Sequence, residues 1–108
     1  DMAAYHEMNS MMGAEMKSMV EQYILSIPDH IDRIKDGIDR DSMLYVADAA
    51  HPLKSSSALI GAIKLGDLCE KIENSARFKG DKVQISSLMH EMEKISETTI
   101  QKLKELLK

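Results

Sequence analysis

One histidine in this chain stands where an imidazole could act on another molecule. His51 is followed at three residues by Lys54 and at four by Ser55, and on a helix those spacings put both within one turn of the ring. A neutral imidazole carries a lone pair on one ring nitrogen, which proteins use as a nucleophile. A phosphoryl group placed there would add roughly −1.5 to −2 charges, by analogy with other phospho-residues. The Lys54 ammonium can approach those oxygens, and a well-made hydrogen bond to a charged group contributes on the order of 1.5–3 kcal/mol, less where water screens it. Ser55 adds little bulk and offers a hydroxyl donor.

The element that must position these residues is the segment from Asp41 to Gly61, DSMLYVADAAHPLKSSSALIG. At about 100° per residue, Met43, Val46, Ala50, Leu53, Ser57 and Ile60 gather on one side as a core seam. The same arithmetic turns His51 about 130° away from the middle of that seam. Its face-mates are Leu44, Ala47, Asp48, Ser55, Ala58 and Ala62. The ring is therefore expected to be open to solvent among mostly small residues, on a face suited to docking another protein. Pro52 removes the N–H that would pair with the Asp48 carbonyl, which should bend or loosen the turn before His51. From these residues alone, an ordinary surface histidine with a lysine nearby is the more common arrangement, and both readings stay open.

Four stretches carry the three-to-four-residue apolar spacing of helices. The first contains Met16, Met19, Val20, Tyr23, Ile27, Ile31, Ile34 and Ile38, with Pro28 expected to kink or divide it. The second carries His51, with Asp41 or Ser42 as candidate cap and Gly61 as stop. The third runs through Leu65, Leu68, Cys69, Ile72 and Ala76 to the turn Lys79-Gly80-Asp81. The fourth shows Ile85, Leu88, Met92, Ile95, Thr99 and Leu106, widened by Met89 and Leu103. No alternating strand pattern competes. Short connections make sequential helices antiparallel. The expectation is a single all-α domain over 1–108, an antiparallel up-down four-helix bundle with helices at 13–39, 41–61, 62–78 and 83–107. Residues 1–12 would form a leading segment or a short extra N-terminal helix.

With 108 residues, 44% of them hydrophobic, the chain can bury one core without staples. Most of its nine methionines fall on helical stripes and read as packing. The formal charge of −4 and scattered Lys and Arg argue against nucleic acid as a partner. No apolar run approaches the ~20 residues that span a bilayer, so no direct membrane contact is expected. The one cysteine, Cys69, cannot pair within the chain, which fits a reducing, cytoplasmic compartment. His6, His30 and His90 lack ligand-spaced companions, so no metal site is expected.

The string AHPLKSSSALIGAIKLGDLCEKIENSAR, residues 50–77, resembles the signature of histidine phosphotransfer (Hpt) domains. That signature reads roughly H-x-L-K-G/S-S-S/A-x-x-x-G-A-x-x-L-x-x-x-C-x-x-I/L-E/Q. His51, Leu53, Lys54, Ser56, Gly61, Ala62, Leu65, Cys69, Ile72 and Glu73 fall in register without a gap. The resemblance implies a phosphorelay intermediate of two-component signalling. His51 would accept a phosphoryl group from a receiver-domain aspartyl phosphate and pass it to another receiver Asp, and Lys54 would stabilise it. Ser55 stands where many members have Gly. Leu44, Ala47, Asp48, Ala58, Ala62 and Glu73 would belong to the docking region; Glu73 sits where some members have a Gln that can hydrogen-bond near the His, and its carboxylate could orient the imidazole by accepting its N–H or could repel phosphate, so its role stays open. The implied partners are receiver domains of response regulators and of a hybrid sensor kinase, with Mg²⁺ held by the receiver and no cofactor or ATP site in this chain. A monomer is expected. Beginning at Asp1 rather than Met, the chain is expected to be a module of a longer protein such as a hybrid sensor kinase.

Two other histidine-bearing bundles fit less well. A histidine-kinase dimerisation domain would show H-E-x-x-x-P, but Pro52 follows His51. A di-metal carboxylate bundle needs paired Glu-x-x-His motifs, and only Asp48-x-x-His51 occurs. The remaining alternative is a helical adaptor that docks partners and is never phosphorylated.

Overall fold

The apolar spacing resolves into four helices in the computed structural model, which describes Ala3 and residues 13–108. They are α1 (Ala14–Asp39), α2 (Met43–Ile60), α3 (Ile63–Asn74) and α4 (Lys82–Leu106), and a π-helical turn, Ser75–Lys79, extends α3. Among the described residues there is no strand. The leading helix expected at 1–12 lies, apart from Ala3, outside the described residues.

Local chemistry sets the ends. Ser42 opens α2 by accepting the Tyr45 N–H on its hydroxyl at 3.4 Å, and Asp81 opens α4 by accepting the Gln84 N–H at 3.1 Å. Such caps satisfy backbone donors that the first turn leaves unpaired. At the end of α2 the backbone turns left-handed at Gly61, φ 87°, a conformation that costs glycine little. The Ala62 N–H then reaches back to the Ser57 carbonyl at 2.8 Å, closing the helix end. Pro28 and Pro52 both lie inside unbroken helices, so the division expected at Pro28 does not occur. Both rings are exposed, on the side where water can take the carbonyl that each leaves unpaired.

Neighbouring helices run antiparallel, as short connections require. Near the first turn Gly37 lies against Val46 so closely that an added Cβ would fall 2.8 Å from Val46 Cγ2. Farther along the same pair, the Tyr23 hydroxyl meets Ser57 Oγ at 2.6 Å in the interior. The core is drawn from all four helices: Met16, Val20, Ile27 and Ile34 of α1, Val46, Ala50 and Leu53 of α2, Leu65, Cys69 and Ile72 of α3, and Ile85 and Met92 of α4 are fully buried. Each large aliphatic side chain so buried stabilises the fold by about 1.5–3 kcal/mol. The bundle measures 42 × 20 × 17 Å, its long axis close to the span of α1 alone at about 1.5 Å per residue. No described helix is long and apolar enough to cross a membrane.

Candidate functional site

The core seam of α2 fixes where its other faces point. With Val46, Ala50, Leu53 and Ser57 buried, His51 projects from the outer wall and its side chain is 54% exposed. The ring does not stand alone. His51 Nδ1 lies 2.9 Å from Glu73 Oε2 on α3, and the Glu73 side chain is only 6% exposed.

Glu73 is the hub of a charge cluster. Lys54 Nζ sits 2.9 Å from its Oε1. From the π-helical turn, Arg77 donates through Nε to Oε2 at 3.1 Å and places a terminal nitrogen 3.0 Å from the same oxygen. That terminal nitrogen also reaches Asp48 Oδ1 at 3.3 Å, back on α2. Burial pushes the Glu73 carboxyl up, but its bonds to Lys54, Arg77 and His51 outweigh burial and hold it below the usual value of 4.5. The group is thus a carboxylate at neutral pH and can only accept. Nδ1 of His51 must be the protonated nitrogen, and the lone pair is left on Nε2.

Two further titratable groups lie in the core. Burial pushes the Cys69 thiol up to about 12, which makes it a packing residue rather than a nucleophile. Tyr23 is also pushed up to about 12 by burial. Among the described residues no group of three or more His, Cys, Asp or Glu is placed to hold a metal ion.

Residues 18–108 match the Hpt domain family. The chain belongs to that family. Its role is therefore histidine phosphotransfer within a phosphorelay, and Hpt domains are phosphocarriers without a kinase site of their own. No curated protein sequence matches the chain. Among solved structures, histidine-containing phosphotransfer protein B (HptB) from Pseudomonas aeruginosa PAO1 aligns with a TM-score of 0.93 at 20% identity, covering 99% of this chain and 92% of that one. At that identity the likeness shows a shared fold.

In this Hpt domain the surface around His51 is made by Leu44, 68% exposed, with Asp48, Ser55 and Ala58 also exposed and Ala62 partly so. Two residues expected there lie elsewhere. Ala47 is fully buried: it sits about 40° round the helix from His51, on the flank against which α3 packs. Glu73 is likewise buried, its side chain only 6% exposed. It lies against the ring at 2.9 Å, the orienting position that its carboxylate could take by accepting the imidazole N–H. Lys54 is a turn from His51 as its spacing requires, but its ammonium is ion-paired with Glu73 at 2.9 Å rather than standing free.

Arg77 was given no part by sequence reasoning. Its four-residue spacing from Glu73 was visible, and such pairs meet on a helix. Its second partner, Asp48, is 29 residues away, a contact that only the packing of α3 on α2 creates.

Proposed function

We propose that this Hpt domain accepts a phosphoryl group on Nε2 of His51 from the aspartyl phosphate of one receiver domain and delivers it to the Asp of another. The observation that carries this reading is the 2.9 Å contact of Nδ1 with a buried carboxylate on a ring that is otherwise open to solvent. One nitrogen is held with its proton while the other points its lone pair outward.

The transfer balances without an additional base. The Nε2 lone pair attacks phosphorus, the N–P bond forms, the bond from phosphorus to the aspartyl oxygen breaks, and the carboxylate leaves with that electron pair. The proton stays on Nδ1, so the ring becomes an imidazolium facing Glu73. Reversal starts from the same cationic phosphorylated ring: the N–P bond breaks, its electron pair returns to Nε2, and neutral imidazole leaves with its proton still on Nδ1 facing Glu73. Lys54, a turn away, offsets charge on the phosphoryl oxygens. Small Ser55 and Ala58 leave room for a receiver's active-site rim, and Leu44 gives that partner an apolar contact. The receiver brings Mg²⁺ and most of the stabilisation of the in-line transition state. Receivers of response regulators, and of a hybrid sensor kinase, fit this role, met in the cytoplasm by a monomeric domain.

The test is transfer from a receiver phosphorylated on its Asp. The wild-type chain should gain acid-labile, alkali-stable phosphate, and His51→Gln should gain none while keeping its helical circular dichroism. Undiminished labelling of that variant would refute the assignment, and a wild-type chain that binds receivers without ever being labelled would make it an adaptor.

A further inference from the structure

We infer that Arg77 is a positioning residue for the His51 reaction, keeping Glu73 charged and seated beneath the ring while Lys54 leaves that carboxylate for the phosphoryl oxygens. This inference rests on the reading that His51 is the phosphoryl acceptor.

Lys54 has two duties that conflict. Its ammonium is 2.9 Å from Glu73 Oε1 before any transfer, and its side chain, 32% exposed, can swing outward. A phosphoryl group on Nε2 brings nearly two negative charges and draws that ammonium away from Glu73. A carboxylate this buried, stripped of its cations, tends to take up a proton. A protonated Glu73 would no longer be an anionic acceptor for Nδ1–H, and the cationic ring would lose its counter-charge as the N–P bond forms.

Arg77 is placed to prevent this. Both of its contacts with Glu73 are to Oε2, the oxygen that accepts from His51, whereas Lys54 uses Oε1. The departure of Lys54 therefore leaves the His51 contact pinned. Guanidinium does not deprotonate in proteins and holds a planar fork, so this cation remains whatever happens to the phosphoryl group. Asp48 holds the arm from the far side at 3.3 Å, tying it to α2 one turn before His51. Arg77 also sits within the π-helical turn, a local rearrangement often found at functional sites.

Lys54→Met imitates the departed lysine without any phosphate, which separates this proposal from the relay reading. Carbon-13 spectra of the Glu73 carboxyl and nitrogen-15 spectra of the His51 ring would be followed through pH titrations. Lys54→Met should keep Glu73 ionised and His51 protonated on Nδ1 at neutral pH. Lys54→Met with Arg77→Met should raise the Glu73 midpoint by a pH unit or more and weaken the Nδ1–H signature. In phosphotransfer, Arg77→Met should slow single-turnover labelling about tenfold and Arg77→Lys should recover part of that loss, with helical content unchanged in both. A Glu73 titration identical in Lys54→Met and the double variant, or Arg77→Met labelled at the wild-type rate, would overturn the proposal. A wild-type chain that is never labelled would instead defeat the relay reading on which it rests.

Discussion

Glu73→Gln removes a charge from beneath the ring while keeping shape and an acceptor oxygen. The amide can still accept from Nδ1–H, so the ring need not turn. What changes is the response to the positive charge that develops on the ring as the N–P bond forms. A hydrogen bond to a charged group contributes on the order of 1.5–3 kcal/mol and one between neutral groups about 1. The loss is thus about 0.5–2 kcal/mol of transition-state stabilisation, roughly tenfold in rate at the middle of that range. An opposing effect must be weighed, because a carboxylate repels an incoming phosphoryl group. The two sit on opposite sides of the imidazole, roughly 6 Å apart, where the nearly two charges of a phosphoryl group repel a carboxylate by about 1.4 kcal/mol in water. Lys54 and Arg77 are paired with the same carboxylate and their positive charges offset most of that repulsion, so the attractive effect wins. Rapid-quench measurement of a single turnover from a labelled receiver should show about a tenfold slower transfer in Glu73→Gln. A rate equal to or above wild type would mean that repulsion dominates and that Glu73 does not assist the ring.

Two further outcomes concern the scaffold. Gly37→Ala places a Cβ 2.8 Å from Val46 Cγ2 and 3.1 Å from the Val46 backbone nitrogen, so α1 and α2 must separate; overpacking of this kind costs typically 1–3 kcal/mol, read as a lower urea midpoint with His51 labelling retained. Alkaline pH should also weaken the fold, because Cys69 and Tyr23 are pushed from ordinary values of 9.0 and 10.0 to about 12 in the folded chain. Each raised value means that the native state keeps a proton the unfolded chain releases, so the contribution is complete below the unfolded value and is lost as pH climbs towards 12. Each group in its window gives a slope of about 1.4 kcal/mol per pH unit. Urea unfolding between pH 8 and 11 should show that decline, reduced in Cys69→Ala and Tyr23→Phe; parallel curves for all three proteins would contradict it.

The fold class was legible because apolar spacing repeats over every helix. Val46, Ala50, Leu53, Ser57 and Ile60 share one side by arithmetic and are all buried. Gly61 and Ser42 mark the ends of α2 by chemistry that operates within a turn. The same arithmetic led to the solvent-facing ring of His51. It failed for Ala47, because a helix wheel records angles and not which neighbour closes a flank. The π-helical turn at Ser75–Lys79 was invisible for a related reason: one changed hydrogen-bond register leaves Cys69, Ile72 and Ala76 on the same buried face. Pro28 looked like a breaker because propensity prices the lost N–H, and solvent exposure of the unpaired side softens that cost. Arg77 and the hub role of Glu73 depend on contacts between α2 and α3 that no spacing within either helix encodes.

Packing α3 against the His51 flank decides more than the direction of one ring. It makes the two imidazole nitrogens unequal, one buried against a carboxylate and one free. It also balances the surrounding charge: Asp48 and Glu73 are matched by Lys54 and Arg77, joined by contacts of 2.9–3.3 Å. A carrier must take a phosphoryl group and give it up again, so a strongly acidic site would resist loading and a strongly basic one would resist release. A neutral cluster with one mobile cation and one fixed cation avoids both. On the proposed relay reading, Lys54 would follow the phosphoryl group while Arg77 stays with Glu73, and on delivery to the next aspartate the lysine would have its carboxylate to return to. Differential stabilisation of the loaded state would then be confined to the reach of one lysine side chain, which would keep the proposed transfer close to reversible.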